Sequence, residues 1–277
     1  MGLSFFVESN ATSVNDTLYI NRGSLLTVDS INSPYLSYNA TPVFDKENTR
    51  IIININDTVN LVIINNDSLS HGFDIKRYNN IDTIIAPYDT ANLSFSFQSE
   101  GGFIYYDHGG NNRYMGLGGM IVIKDPSKSS KDFYWNIKEH QVSFSNAIEQ
   151  GNGVDWSTFY PDYFTINGNS NPYINLDTNA RVKGNIGDTI TIYMVNTGNS
   201  IHSIHFHGYH AEIKFSSKFP NHVERSKDTF PIYSMEVVVI ELVPDKVGEY
   251  PVHDHNLVAV SGGKIYPNGM FVTLFID

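Results

Sequence analysis

The sequence predicts an all-β protein made of two tandem copies of one Greek-key β-sandwich module. Three observations predict this class: a gapless internal repeat, short apolar runs rich in β-branched and aromatic residues, and almost no helical periodicity. A length of 277 residues with 41% hydrophobic residues suffices for one large domain or two ordinary ones with packed cores.

The internal repeat is carried by three pairs of matching segments. They are 55–76 with 186–207, 101–108 with 248–255, and 116–123 with 267–274. The first pair places His71 opposite His202. A polar stretch at 125–132, DPSKSSKD, follows the last apolar run of the first copy. We therefore expect a first domain at residues 1–127 and a second at 128–277.

Each copy contains runs that are typical of strands, punctuated by Gly, Pro, Asn and Asp. In chain order these runs are TVNLVIIN (58–65), ANLSFSF (91–97), GGFIYY (101–106), GGMIVI (118–123), TITIYMVN (189–196), MEVVVIEL (235–242) and GMFVTLFI (269–276). A helix is expected only in short pieces such as 143–150. Several short strands in each copy favour a sandwich or barrel.

Charge and cysteine content exclude several classes of function. A net charge of -11 argues against a nucleic-acid binder, which needs a basic face. The absence of cysteine excludes disulfides, thiolate catalysis and sulfur-ligated zinc or blue-copper sites. No apolar run has the length of a membrane span, and residues 1–10 do not read as a signal peptide.

The histidines indicate a metal site. Two His-x-His pairs, His205 with His207 and His253 with His255, follow apolar runs of the second copy. Alternate residues of a strand project from one face, so each pair presents two imidazoles side by side. Two such pairs on neighbouring strands would bring together four nitrogens, which suit Cu, Zn or Fe.

A single His-x-His pair is more often surface decoration or a hydrogen-bonded polar pair than a ligand set. Two pairs at matched ends of a repeat favour metal binding instead. His140 and His222 have no partner in the pattern, and we expect them to be solvated. His210 either orients a ligand or is simply exposed.

The segment HSIHFHG (202–208), followed by the second His-x-His pair, resembles the multicopper oxidases, which share a superfamily with two-domain copper nitrite reductases. The resemblance covers both copies and implies two cupredoxin-like sandwiches. It assigns His202 to a blue copper and His205 to a type 2 copper. It assigns His207, His253 and His255 to type 3 copper.

The departures from the family pattern bear on function. Asp254 stands in place of the blue-copper cysteine, and Ala259 in place of a later histidine. Because a blue-copper centre requires a thiolate, the second copy lacks one. We expect His202 and Asp254 to face each other in the vacated position through a hydrogen bond or ion pair. Asp254 is favoured as a structural substitute over a ligand.

The first copy departs further. Aligned with the second copy, it keeps His71, Asp107 and His108, but has Asp74, Lys76 and Tyr106 opposite His205, His207 and His253. His71 and Asp107 thus mark its vacated blue-copper position, and His108 alone remains as a potential ligand. Asp74 matches a catalytic acid of the nitrite reductases and is a candidate proton donor or a plain acid. Lys76 would repel a cation, or bind an anion beside one.

The first hypothesis is a copper-binding, oxidoreductase-like protein. One or two copper ions, or zinc, would be held by His205, His207, His253 and His255 with help from His108. Its redox partner would be a small-molecule reductant or oxidant. The resemblance also implies a homotrimer, whose sites lie between subunits, and an exported protein. The alternatives are a non-enzymatic copper carrier, a degenerate structural protein and, less favoured, a zinc hydrolase, for which no Glu is placed as a base.

Overall fold

The computed structural model describes residues 11–79 and 81–277, and the chain is nearly all β. The expectation about a signal peptide in residues 1–10 lies outside the described residues. The predicted class, all-β with two tandem sandwiches, is confirmed by two successive pairs of sheets. Within the described part, none of the helices has the length and apolarity of a transmembrane segment.

The first pair of sheets lies between Ser13 and Lys124. Its strands are β1 (Ser13–Leu26), β2 (Asn32–Asn39), β3 (Ile51–Asn54), β4 (Thr58–Asn65), β5 (His71–Ile75), β6 (Asp82–Ile85), β7 (Thr90–Ser96), β8 (Gly101–Tyr106) and β9 (Gly118–Lys124). One sheet has the order β2-β1-β4-β7 and the other β3-β9-β8-β5-β6. Alternate residues of β4 are buried, as expected for a strand with one face on the core.

The second pair of sheets lies between Lys131 and Ile276. Its strands are β10 (Lys131–His140), β11 (Tyr163–Ile166), β12 (Val182–Gly184), β13 (Ile190–Asn196), β14 (His202–Phe206), β15 (Ala211–Ser216), β16 (Ser226–Lys227), β17 (Thr229–Ile232), β18 (Glu236–Leu242), β19 (Gly248–Asp254) and β20 (Phe271–Ile276). The sheet orders are β11-β10-β13-β18-β15-β16 and β12-β20-β19-β14-β17. The expected helix is α1 (Val142–Glu149), and short 3-10 turns lie at Trp156–Thr158, Tyr173–Leu176, Pro220–His222 and Leu257–Val260.

The strand orders reproduce the sequence repeat. The order β2-β1-β4-β7 corresponds to β11-β10-β13-β18, and β6-β5-β8-β9-β3 corresponds to β17-β14-β19-β20-β12. The parallel pair of β1 and β4 recurs as β10 and β13. Repeated sequence segments have therefore folded into repeated topology, and the two copies are referred to below as the first and second modules.

Each module has its own core, and a third apolar cluster joins them. The second core includes Trp135, which is fully buried, stacks on Phe206 and donates from Nε1 to the Ala180 carbonyl at 2.8 Å. The joining cluster consists of Ile104, Met120 and Val122 from the first module and Tyr193, Val195, Val237 and Val239 from the second. Polar contacts reinforce it: Lys138 Nζ donates to the Gly116 carbonyl at 2.6 Å.

Candidate metal centre

Strand register brings the four histidines of the two His-x-His pairs together. In the antiparallel pairing of β14 and β19, His205 lies opposite His253. His207 and His255 directly follow these strands, and their backbone amides are held by the Pro251 and Ser203 carbonyls. The pattern expected from alternation along a strand is therefore realised on the second module.

The four rings form one cluster. The ring centroid of His205 lies 4.8 Å from that of His207, 5.7 Å from that of His253 and 5.5 Å from that of His255. The Nε2 atoms of His207 and His253 are 3.0 Å apart. His205 and His253 are half-buried, whereas His207 and His255 are exposed, so the cluster opens to the surface of the chain.

Hydrogen bonds behind the rings fix two of them. The Thr229 hydroxyl donates to Asp228, so its oxygen accepts from His205 Nδ1 at 2.9 Å. His253 Nδ1 donates to the Asp254 carbonyl at 2.9 Å. In the neutral form of both rings Nε2 is then the unprotonated nitrogen, as in metal-binding histidines whose other nitrogen is held by an outer partner, and that of His253 faces His207 Nε2.

The electrostatics of the cluster favour a neutral ring at His207. Burial, followed by the neighbouring rings of His205 and His253, lowers the pKa of His207. Neutral imidazoles are the form that binds copper or zinc. Among the residues that the structure describes, however, no group of three or more His, Cys, Asp or Glu side chains is arranged to hold a metal ion. The four imidazole nitrogens suit copper, but they lie on one solvent-facing side of the chain, where His207 and His255 are exposed.

The corresponding face of the first module has different chemistry. Asp74 on β5 accepts a hydrogen bond from the Tyr106 hydroxyl at 2.7 Å, and Lys76 Nζ lies 5.8 Å from the centre of the Tyr106 ring. His108 Nε2 lies 3.0 Å from Asp82, while its Nδ1 is buried without a hydrogen-bond partner among the described residues. Four of the five candidate ligands thus lie together, and His108 belongs to the other module.

The position that the sequence predicts as a vacated blue-copper site in the second module contains a carboxylate–imidazole–carboxylate triad. His202 Nδ1 lies 2.6 Å from Asp254, which is the contact expected from the sequence, and Nε2 lies 3.2 Å from Glu139. All three side chains are at most 1% exposed. Because carboxylates only accept, the ring donates from both nitrogens and is an imidazolium.

Ionisation follows from these contacts. Burial alone would lower the pKa of His202, but the hydrogen bonds to Asp254 and Glu139 raise it to about 9. Burial alone would raise the pKa of Glu139, but His202 and two backbone amides, those of Asn199 and Ser200, lower it to about 2. His202 and Glu139 are therefore both charged at neutral pH.

The first module contains a second triad at the same place. His71 Nδ1 lies 3.0 Å from Asp107 and Nε2 lies 2.7 Å from Asp67. Asp67 also accepts from Arg22, which holds the pKa of that carboxyl at about 2 against the effect of burial. Asp107 additionally accepts from the Gly72 amide at 2.8 Å. Both positions are therefore occupied by protein groups.

The sequence interpretation missed Glu139 and Asp67, and it was wrong about His140. That residue is 2% exposed, because its ring packs edge-on against Tyr35 at 5.5 Å and its Nε2 contacts the Thr165 hydroxyl. His222 is half-buried and stacks on Phe219, so it is only partly solvated. His210 is exposed, one of the two readings that the sequence left open.

Comparisons with known proteins agree on the fold. The sequence model of the multicopper oxidase family matches residues 146–273. A blue copper oxidase from Nitrosomonas europaea superposes with a TM-score of 0.81 at 21% identity, covering 95% of this chain and 86% of that one. The multicopper oxidase mgLAC gives 0.80 at 18%, covering 96% and 87%. A copper nitrite reductase from Nitrosomonas europaea gives 0.74 at 18%, covering 96% and 94%. No curated protein sequence matches the chain.

Proposed function

We propose that this chain, which matches the multicopper oxidase family model over residues 146–273 and contains no cysteine for a blue-copper site, binds copper through the four clustered histidines. The observation that carries the proposal is the hydrogen bonding behind His205 and His253, which occupies Nδ1 of each ring and leaves Nε2 as the nitrogen free of the proton in the neutral form. His207 and His255 lie beside them at the surface. Four imidazoles without a thiolate suit one or two copper ions, and zinc is the competing metal.

The open face of the cluster supports an assembly in which a neighbouring subunit closes the site. In a homotrimer, the first module of one subunit would face the histidines of the next. The partner subunit's His108 would then add an imidazole, and the partner's Asp74 would stand nearby as a proton donor. Light scattering on the purified protein tests the trimer, and a strictly monomeric, copper-loaded protein contradicts it.

The proposed activity is that of an oxidoreductase that takes electrons directly from a small molecule. Bound copper would supply one-electron redox chemistry. The chain's own residues orient the ligands through Thr229 and the Asp254 carbonyl. The triads occupy both places where a blue copper would relay electrons, so the reductant must reach the histidine face itself. Export to the periplasm or beyond would fit this chemistry and is part of the proposal.

A carrier without turnover is the second candidate. The exposure of His207 and His255 favours it, because an ion at the surface is easily passed to another protein. Oxygen consumption by copper-loaded protein with a phenolic reductant separates the two. Turnover supports the oxidoreductase, and tight copper binding without turnover supports the carrier.

Metal analysis with electron paramagnetic resonance tests the binding itself. We expect copper that survives dialysis, with no intense blue absorbance. His205→Ala should lose most of it, whereas the control His222→Ala, whose ring stacks on Phe219 away from the cluster, should keep it. Protein that takes up neither copper nor zinc, or a His205→Ala variant that binds as the parent does, contradicts the proposal.

A further inference from the structure

A groove of about 220 Å³ lies between the two modules, apart from the histidine cluster. Phe103 and Ile104 of β8 line one wall, and Phe215, Met235 and Val237 line the other. The groove exists because β8 approaches the second module closely. At Gly102, a Cβ atom would lie 2.9 Å from Val237 Cγ1, so a side chain there would crowd the modules.

The rim of this apolar groove is cationic. Lys76 and Arg77 line it. Lys218 lies nearby: burial is the main cause that lowers the pKa of Lys218, and the charges of Arg77 and Lys76 lower it further. Among the described residues, none of these three cations forms an ion pair with a carboxylate. A cluster of unneutralised cations is unexpected in a chain with a net charge of -11.

One carboxylate does lie near the rim, but its hydrogen bonds are already committed. This is Glu236, whose negative charge raises the pKa of Lys218 and so partly offsets the lowering. It is buried, and its oxygens accept from the Ser216 hydroxyl at 2.9 Å and the Tyr233 amide at 2.9 Å. Lys218 Nζ itself donates to the Ser234 carbonyl at 2.6 Å. Arg77 and Lys76 therefore keep donors for an anion in the groove.

The backbone at both lips is held in an unusual conformation. Arg77 has φ of 65° and Met235 has φ of 58°, in the left-handed region that side chains other than Gly seldom adopt. Each such residue costs on the order of 1 kcal/mol and persists where its surroundings impose it, often at ligand sites. Here, the conformation places one cation and one apolar side chain on opposite lips.

We propose that this groove binds a small aromatic carboxylate. Its ring would lie between Phe103 on one wall and Phe215 and Met235 on the other, and binding there would remove apolar surface of the ring and of the groove from water. Its carboxylate would lie at the rim, where the Arg77 guanidinium offers paired donors and Lys76 a second charge. The site does not require copper, so its failure and that of the proposed function are separate outcomes.

Calorimetry on the metal-free, full-length protein tests the proposal, with cinnamate as the probe. Cinnamyl alcohol keeps the ring without the charge, and acetate keeps the charge without the ring. We expect cinnamate to bind at least tenfold more tightly than either, with an affinity that falls as salt is added. Arg77→Gln should weaken cinnamate at least tenfold, while Lys183→Gln, at an exposed position of β12, should have no effect.

Three results overturn the proposal. The first is the absence of cinnamate binding at millimolar concentration. The second is equal binding of cinnamate and its alcohol, which marks a merely apolar surface. The third is an Arg77→Gln variant that binds as the parent does. If a second copy of the chain covers the groove instead, cinnamate does not bind, and Arg77→Gln changes the oligomeric state of the protein.

Discussion

Replacing Asp254 with Asn tests whether the His202 ring is charged in the folded protein. In the parent, Asp254 Oδ2 faces His202 Nδ1 at 2.6 Å, and Oδ1 accepts from the Ser203 and Asn256 amides. Asn keeps the shape and can keep both backbone contacts. Its amide group, however, donates to Nδ1, so the ring becomes a neutral tautomer that donates only to Glu139.

The magnitude follows from the raised pKa of His202. The folded pKa is about 9 and the ordinary value is 6.5. The charged ring therefore contributes stability that is fully present below pH 6.5 and is lost as the pH rises through 9. One pKa unit corresponds to about 1.4 kcal/mol, so the total is roughly 3 kcal/mol for this buried group.

Urea unfolding of the metal-free parent and Asp254→Asn, measured at several pH values from 6 to 9.5, is the assay. The excess in unfolding free energy of the parent over Asp254→Asn should shrink by roughly 3 kcal/mol from pH 6 to 9.5, because only the parent has the raised pKa of His202. Lys138, which titrates in the same window, is present in both proteins and largely cancels. A difference that stays constant with pH, or a His202 ring that titrates near 6.5 by NMR, would refute the reasoning.

Two further predictions concern buried groups near the triad. Gly198→Ala would bring a Cβ into overlap with the Glu139 carboxylate, so it should lower the free energy of unfolding in urea by about 2 kcal/mol or more. The control Gly153→Ala, which has open space around it, should change that free energy little, and equal effects of the two substitutions contradict the prediction. Burial lowers the pKa of Lys138 from 10.5 to about 7. Because the unfolded chain then binds more protons, the free energy of unfolding of the parent should rise above pH 7 by roughly 1.4 kcal/mol per pH unit relative to that of Lys138→Met. Parallel pH profiles of the two proteins contradict this.

The sequence predicted the fold and the histidine cluster because both rest on local periodicity. Alternation along a strand places the two histidines of each pair on one face, and the sequence analysis expected the pairs to converge if they lay on neighbouring strands, as β14 and β19 do. These relations need no knowledge of long-range packing. The resemblance to the multicopper oxidases, and not the repeat, anticipated the contact between His202 and Asp254.

The partners that the sequence missed depend on contacts between distant segments. Glu139 reaches His202 because β10 pairs in parallel with β13, and because Gly198 leaves room for its carboxylate. His140, on the same strand, is covered by Tyr35 of the first module. Nothing within a few residues of either position signals this environment, so the local pattern indicated a solvated ring at His140 and did not single out Glu139.

The twin triads bear on when this protein becomes structurally complete. Both nitrogens of His71 and of His202 are already paired with carboxylates of the chain itself. These two buried positions therefore need no metal ion to satisfy their histidines. The interior of each module is held by ion pairs of the chain, and an exchangeable ion is left to the histidine face at the surface.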